Sequence, residues 1–442
     1  MITRLEVDGF KSLRDFAIDL DPFTVLIGPN SAGKSNILEA LALLSRLATH
    51  PIAEAFKKGR GRPSDQFTRE GNESARAVRF AVEFFQQSLR VSLSGRSPGP
   101  RRRFRYELTL ERQTLSSGAE RLVVREERLC ALRVEGDDWL AAHPEFPKPE
   151  TSEDPGKELF TATWRSGGSI TTTDGRVIAL ATTHTSLAQV PISEVFACRI
   201  NLGMIRSLRL DGAQLGESSD RIDSDGLSAD GSNLPTILAG LSPTVLGEIR
   251  ADLVRLVPGI ASFEVVPDDD ELRLDFKLSG GERMPARLVS DGTLRILVLL
   301  TALRLEPRRQ LLTIEEPENG IYPGRLRALL SLMQDETARR HDHPDGIEAL
   351  GDSLREFGGA SSLHIPMLPT QILVTTHSPV LLSALRKQPQ HLRFVDTVRR
   401  DGRPITRVRT VGRPTTPAEG RFKISPREIE QLLDSTRDEE TE

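Results

Sequence analysis

Apolar positions along the chain follow two rhythms, one of strands and one of helices. Residues 2–7 and 16–20 alternate or cluster as short strands, and 23–27 form an unbroken apolar run fit for a buried strand. Directly afterwards Ile37, Leu38, Leu41, Leu44 and Leu47 recur at helical spacing over 36–47. A polar stretch at 49–75 reads as a loop. Alternation returns from 77 to about 181, with Val78, Phe80, Val82 and Phe84, then Tyr106, Leu108 and Leu110, so this part is β-rich. It is expected to break over 94–105, where Pro98, Gly99 and Pro100 precede Arg101, Arg102, Arg103 and Arg105.

The second half predicts helices at 233–241 and 243–256, strands at 261–266 and 272–278, and a helix at 293–305. A buried strand at 311–314, a helix at 323–340, another buried strand at 371–375 and a helix at 379–386 follow. The His-, Asp- and Gly-rich segment 341–368 is expected to be a mobile insertion. Ser425-Pro426-Arg427-Glu428 forms a capping box with proline at the first helical position, opening one short helix before an acidic tail at 438–442. The expected division is 1–200 (with an insertion at 85–105), 201–395, and a C-terminal extension at 396–442.

Composition narrows the class. At 442 residues and 38% hydrophobic, the chain can build two or three compact units. Lys and Arg number 59 against 63 Asp and Glu, a net charge of −4, so any nucleic-acid contact must be a local patch. Cys130 and Cys198 match no metal spacing and read as reduced thiols of a cytoplasmic protein. The N-terminal segment reads as a strand and not as a signal peptide, and the longest apolar run, 296–303, is too short to cross a membrane.

Three strand ends carry candidate chemistry. Gly28-Pro29-Asn30-Ser31-Ala32-Gly33-Lys34-Ser35 fits G-x-x-x-x-G-K-S between a buried strand and an amphipathic helix. Glycines let the backbone curl its N–H groups around phosphate oxygens, and the helix adds its N-terminal dipole. Lys34 would reach the β- and γ-phosphates of ATP, and Ser35 would hold Mg²⁺. The strand at 311–314 runs into Glu315-Glu316-Pro317-Glu318; Glu315 would contact Mg²⁺ and Glu316 would polarise the attacking water. Many phosphate-loop enzymes carry Asp at the first of these positions. The strand at 371–375 ends in Thr376-His377, where His377 would hydrogen-bond a γ-phosphate oxygen and sense its loss.

Two segments compete for the loop that caps ATP on another subunit. Leu278-Ser279-Gly280-Gly281-Glu282 is closer by letter to the LSGGQ string, but Ser279 precedes Glu315 by 36 positions and its glycines fall between two strand-like runs, as in a hairpin turn. Ser290 precedes Glu315 by 25 positions with an unbroken helical pattern between. In the ABC-type ATPases that this order of motifs resembles, the signature serine opens a helix running directly into the carboxylate strand, and by that likeness Ser290, Asp291 and Gly292 are taken as the signature.

The order of these motifs resembles the RecF-like ATPases of the AAA/ABC type, relatives of RecF, SMC and OLD proteins. The likeness rests on Leu5-Glu6-Val7-Asp8-Gly9-Phe10-Lys11-Ser12-Leu13, the phosphate loop, Asp230-Gly231-Ser232-Asn233-Leu234, Ser290-Asp291-Gly292-Thr293, Glu315 to Gly320, and Thr375 to Pro379. It implies an α/β P-loop NTPase: an ABC-type head with a mixed, largely parallel central sheet, an antiparallel β-rich subdomain and a helical signature lobe. It implies nucleotide contacts from Asn30, Ser31, Ala32, Gly33, Lys34, Ser35 and Asn36, and from Lys11 and Arg14 near the α-phosphate and ribose. Glu318-Asn319-Gly320 would cross to the partner subunit. Tyr322 stands where many members have histidine, and the glutamine that couples γ-phosphate to movement stays open among Gln66, Gln86, Gln87 and Gln113. No heptad pattern for coiled-coil arms is present, and 65 residues after His377 are too few for an OLD-type nuclease domain.

Two functions follow. One is an ATP-gated homodimer closing on DNA, in repair or defence against phage, with Arg101, Arg102, Arg103 and Arg105 as a phosphate-contacting patch interleaved with Phe104 and Tyr106. The other is a nucleotide sensor that holds a separate effector protein, docked at 341–368. A transporter motor fits less well, because neither the β-rich insertion nor the opening segment suits it.

Overall fold

A strand buried at every position has to lie in a sheet covered on both faces, and Phe23–Ile27 is such a strand, apolar except for Thr24, whose hydroxyl donates to Asp21 O at 3.3 Å. In the computed structural model it sits fourth in a seven-stranded sheet. The order is Ile205–Leu208, Leu311–Glu315, Gln371–Thr376, Phe23–Ile27, Leu392–Arg400, Arg403–Val411, Lys423–Ile424. The first five strands are parallel, and Arg403–Val411 runs antiparallel to its neighbour Leu392–Arg400. The structure describes all residues except 71–72, 93–94, 147–157, 164–168, 172–176, 180–183, 189–192, 223–225, 306–310, 339–369, 401, 413–422, 426, 430 and 432–442.

Alternate side chains of the central sheet feed two separate cores. Leu26, Leu373 and Val395 pack into one with Ile37, Leu41 and Leu44 of helix Lys34–Leu47. Val25, Ile27, Ile372, Val374 and Phe394 enter the other, with Leu253 of helix Pro243–Leu256, Leu297 of helix Asp291–Arg304 and Leu330 of helix Pro323–Ala338. The first core is closed by a six-stranded antiparallel sheet, in the order Phe16–Asp19, Ile2–Asp8, Ala77–Ser92, Gly95–Thr114, Glu120–Ala131, Glu158–Thr163. Mixed parallel and antiparallel sheets with a helical layer are the architecture of the expected P-loop ATPase head.

Two sequence expectations change. The break at 94–105 is absent: Phe84 faces Phe104 and Ser92 faces Gly95, so the two strands continue as one long hairpin. Strand Leu392–Arg400 runs across position 395/396, so residues just beyond 395 lie within the central sheet. The segment 341–368 and the acidic tail fall outside the described residues. At the C-terminus the capping box is formed, with Ser425 N donating to Glu428 Oε2 at 2.9 Å and Glu428 N to Ser425 Oγ at 3.3 Å.

The antiparallel lobe is pinned to the far end of the central sheet by charge. Asp21, just before strand Phe23–Ile27, takes His143 Nε2 at 3.2 Å and Arg393 Nη2 at 2.8 Å. Burial, the largest single effect, would lower the His143 pKa, but the bonds to Asp21 and Trp139 O and the charges of Asp21 and Glu145 together raise the value above 6.5. Burial opposes Asp21 ionisation, yet His143 and Arg393 hold its pKa below 3.8. The His143 contribution to stability is therefore complete below about pH 6.5 and is lost as pH rises through the elevated value. Urea titrations from pH 6 to 9 should show stability falling with pH, and His143→Ala should flatten that slope. An equal slope in the variant would contradict the assignment.

Candidate nucleotide-binding site

Strand Phe23–Ile27 ends at Gly28 and helix Lys34–Leu47 starts six residues later, leaving a tight connection whose shape is set by its neighbours. A Cβ on Gly28 would stand 1.9 Å from Val395 O, and one on Gly33 would stand 1.9 Å from Thr406 Oγ1. Ser31 (φ +61°) and Gly33 (φ +98°) adopt left-handed conformations, the alternation that turns successive N–H groups inward as an anion nest. Asn30 and Ser31 are exposed, whereas Ala32 is buried.

The loop is braced from behind. Thr406 Oγ1 donates to Ala32 O at 3.1 Å and meets Ser12 Oγ at 2.6 Å, which in turn accepts from Asn36 Nδ2 at 2.7 Å. Asn36 thus faces Ser12. Lys34 is buried, its Nζ donating to Gly28 O at 2.7 Å and Pro29 O at 2.8 Å. Burial lowers its pKa against the pull of Glu316, Glu318 and Glu315. Lys11 pairs with Glu39 on the loop's helix. Burial lowers its pKa to about 8, helped by the charges of Arg60, Arg46 and Arg209.

The shared register brings the other strand ends beside this loop. Leu208 lies opposite Ile314, Ile314 opposite Val374, and Val374 opposite Val25. Glu315 Oε1 accepts from Ser35 Oγ, and Arg209 Nε lies 3.5 Å from Glu315 Oε2. A hydroxyl and a carboxylate suit a hard cation such as Mg²⁺. Among the described residues no three His, Cys, Asp or Glu converge as a cage.

Glu316 holds a left-handed backbone (φ +48°), a conformation costing about 1–3 kcal/mol in a non-glycine residue, with its N–H bonded to Thr375 O at 3.0 Å. His377 Nδ1 lies 3.4 Å from Glu316 Oε1, an ion-pair contact outside hydrogen-bond geometry, and Asn319 Nδ2 donates to Oε2 at 3.1 Å. The histidine, opposed by partial burial and helped by Asn319, brings the Glu316 pKa down to about 2; Glu316 in turn raises that of His377. Glu318 ties the carboxylate strand to the switch strand, its Oε1 accepting from Thr376 Oγ1 and from His377 N at 3.2 Å. Burial raises its pKa, and its Oε2 is buried with no hydrogen-bond partner.

Ser290 and Asp291 are exposed at the start of helix Asp291–Arg304. Gly292 is packed so closely that a Cβ would stand 2.0 Å from Gly320 O, joining the signature to the loop after the carboxylates. Ser279 to Glu282 form the turn between strands Glu271–Leu278 and Arg283–Pro285, with Leu278 N bonded to Glu282 O at 2.8 Å and Gly281 at φ +89°.

The proposed basic patch does not survive at its described positions. Arg103 is buried against Asp137 and Glu83, and Arg105 pairs with Glu6, Glu83 and Glu107. Phe104 and Tyr106 are core residues. Glu6 and Glu83 on neighbouring strands and Asp137 before helix Asp138–Ala142 take up the charge together with Glu107 of the same strand, and the first three are not revealed by residue order along that strand. The Arg101 and Arg102 side chains lie outside the described residues.

Family comparison follows the same layout. A family model described as "AAA ATPase domain" matches residues 1–92, which hold the phosphate loop. A second, described as "AAA domain, putative AbiEii toxin, Type IV TA system", matches 213–383, which hold the signature, the carboxylates and His377. The OLD nuclease of Thermus scotoductus is 46% identical over 44 residues, covering 10% of this chain and 8% of that protein. The DNA replication and repair protein RecF of Acidothermus cellulolyticus is 42% identical over 53 residues, 12% of this chain and 14% of that protein. Together these matches support a likeness to the RecF/SMC/OLD-like ATPases. Matched stretches span only 7% to 19% of the curated relatives' own lengths. A solved SMC head bound to the C-terminal winged-helix domain of ScpA aligns over 92% of this chain and 98% of that chain, at 14% identity and a TM-score of 0.48.

Three groups at the site escaped the sequence reading. Arg209 follows a strand of only four residues, and Thr406 comes from a strand far along the chain. Glu318 was assigned to a crossing loop, yet its side chain turns inward. Of the glutamines left open, Gln66 Nε2 bonds Phe56 O at 2.6 Å, Gln113 takes Arg121, and Gln86 is buried in strand Ala77–Ser92. Thr406→Val should remove two hydrogen bonds from the back of the loop and destabilise the protein by about 1–3 kcal/mol in denaturant titration. A change within a few tenths would show that the brace carries no load.

Proposed function

We propose that the chain binds ATP with Mg²⁺ at Gly28 to Ser35, hydrolyses it through Glu316, and does so as an ATP-gated homodimer in DNA repair or anti-phage defence. The observation that carries this reading is the convergence of Ser35, Glu315, Glu316 and His377 at one edge of the sheet.

Each residue has a task that its present contacts suit. Lys34, now on the loop's own carbonyls, would exchange them for β- and γ-phosphate oxygens. Asn30 to Asn36, with Lys11 at the flank, would line the nucleotide. Ser35 and Glu315 would hold Mg²⁺, which supplies charge neutralisation at the phosphates when bound. Glu316 would accept the proton of the attacking water. A carboxylate near pKa 2 is a poor base, so the contact with His377 restrains it. If His377 turns to a γ-phosphate oxygen, Glu316 loses that restraint and gains basicity where it is needed.

The dimer reading is supported by the exposure of Ser290 and Asp291, which leaves them open to the nucleotide of a second copy. Neutralisation of Arg103 and Arg105 removes one support for DNA contact and favours the alternative, a sensor holding a separate effector. No helix among the described residues is long and apolar enough to cross a membrane.

ATP turnover by purified protein, absent in Lys34→Ala, is the first test. Glu316→Gln should bind ATP and accumulate as a closed dimer; undiminished turnover in it would sink the assignment of the base. Ser290→Arg should abolish ATP-driven dimerisation while Ser279→Arg leaves it intact, and the reverse pattern would exchange the two segments. DNA should stimulate turnover less as salt rises; turnover indifferent to DNA, with a co-purifying protein, selects the sensor.

A further inference from the structure

Strand Ile205–Leu208 is the outermost of the five parallel strands, and its last residue lies opposite Ile314. Strand Leu311–Glu315 ends one residue later, at Glu315, which still pairs with Thr375. Beside it the residue after Leu208 is Arg209, whose Nε stands 3.5 Å from Glu315 Oε2. With Ser35 Oγ on Oε1, both oxygens of that carboxylate are engaged.

The two contacts differ in kind. A hydroxyl can join a carboxylate around a divalent cation, but a guanidinium cannot stay on the same carboxylate without opposing the ion's charge. The Arg209 backbone is fixed, its N–H donating to Ala229 O at 2.7 Å. Its side chain is 56% exposed. An ion pair that open stabilises the fold by at most about 1 kcal/mol, so little is lost in exchanging it. Its charge is also felt at Lys11, beside the helix that follows the phosphate loop, so the guanidinium works within range of that loop.

We propose that Arg209 is a stand-in cation: it neutralises Glu315 in the nucleotide-free protein and transfers to a phosphate oxygen when a divalent cation takes the carboxylate. This rests on the reading of Glu315 as the metal carboxylate. The planar guanidinium fork, with five donors, is suited to both partners in turn.

The full chain and its Arg209→Gln and Arg209→Lys variants decide the matter through two binding measurements. Mn²⁺ affinity without nucleotide, read by electron paramagnetic resonance, should rise several-fold in Arg209→Gln because a competitor for Glu315 is gone. Affinity for a fluorescent non-hydrolysable ATP analogue in Mg²⁺ should fall roughly tenfold, the loss of one charge-assisted hydrogen bond. Arg209→Lys should lie between on both scales. Unchanged Mn²⁺ affinity overturns the proposal. So does a joint fall of both affinities with a lowered thermal midpoint, which marks a structural role. If the wild-type chain binds no nucleotide, the ATPase reading and the transfer to phosphate both fail. The Mn²⁺ measurement still decides whether Arg209 competes at Glu315.

Discussion

Neighbouring strands in a parallel sheet buried on both faces have to keep register, because an unpaired peptide group in an apolar layer costs more than a slipped pair of side chains returns. Here that register runs from Leu208 through Ile314 and Val374 to Val25. Arg209, Glu315, Glu316, His377 and the phosphate loop consequently gather at one edge of the sheet. Their proximity needs no special device beyond strands ending together. The two cores above and below hold the edge in place, and Thr406 stiffens the loop from a strand that contributes no chemistry.

Within that edge, charge is held in balanced pairs. Glu315 has Ser35 and Arg209, Glu316 has Asn319 and His377, and Lys34 has its own loop's carbonyls. Each pair satisfies a group that a nucleotide and its metal would otherwise satisfy. Binding would then exchange partners instead of desolvating bare charges, which keeps its cost low. Glu318 Oε2 and the neighbouring His377 Nδ1 stand apart, each buried without a hydrogen-bond partner.

Much of this was legible from residue order. The phosphate loop, the carboxylate pair and His377 each follow a short apolar run, and burial on both faces makes such runs conspicuous. The choice of Ser290 over Ser279 rested on spacing, and the turn geometry at Gly281 agrees with a hairpin there. Contacts between distant segments were not legible. Arg103 and Arg105 look like a cationic patch along the chain, and only strand pairing reveals Glu6 and Glu83 beside them. Arg209 and Thr406 were invisible for the same reason, since their partners are supplied by topology and not by motif.

The central claim is that one subunit holds half of each catalytic site. Mixing Lys34→Ala with Ser290→Arg tests it most directly. Each variant alone should be inactive in ATP turnover. In the mixed dimer an intact phosphate loop meets an intact signature once, so turnover should reappear on mixing. A mixture as inactive as its parts, or full turnover by Ser290→Arg alone, would contradict the composite site.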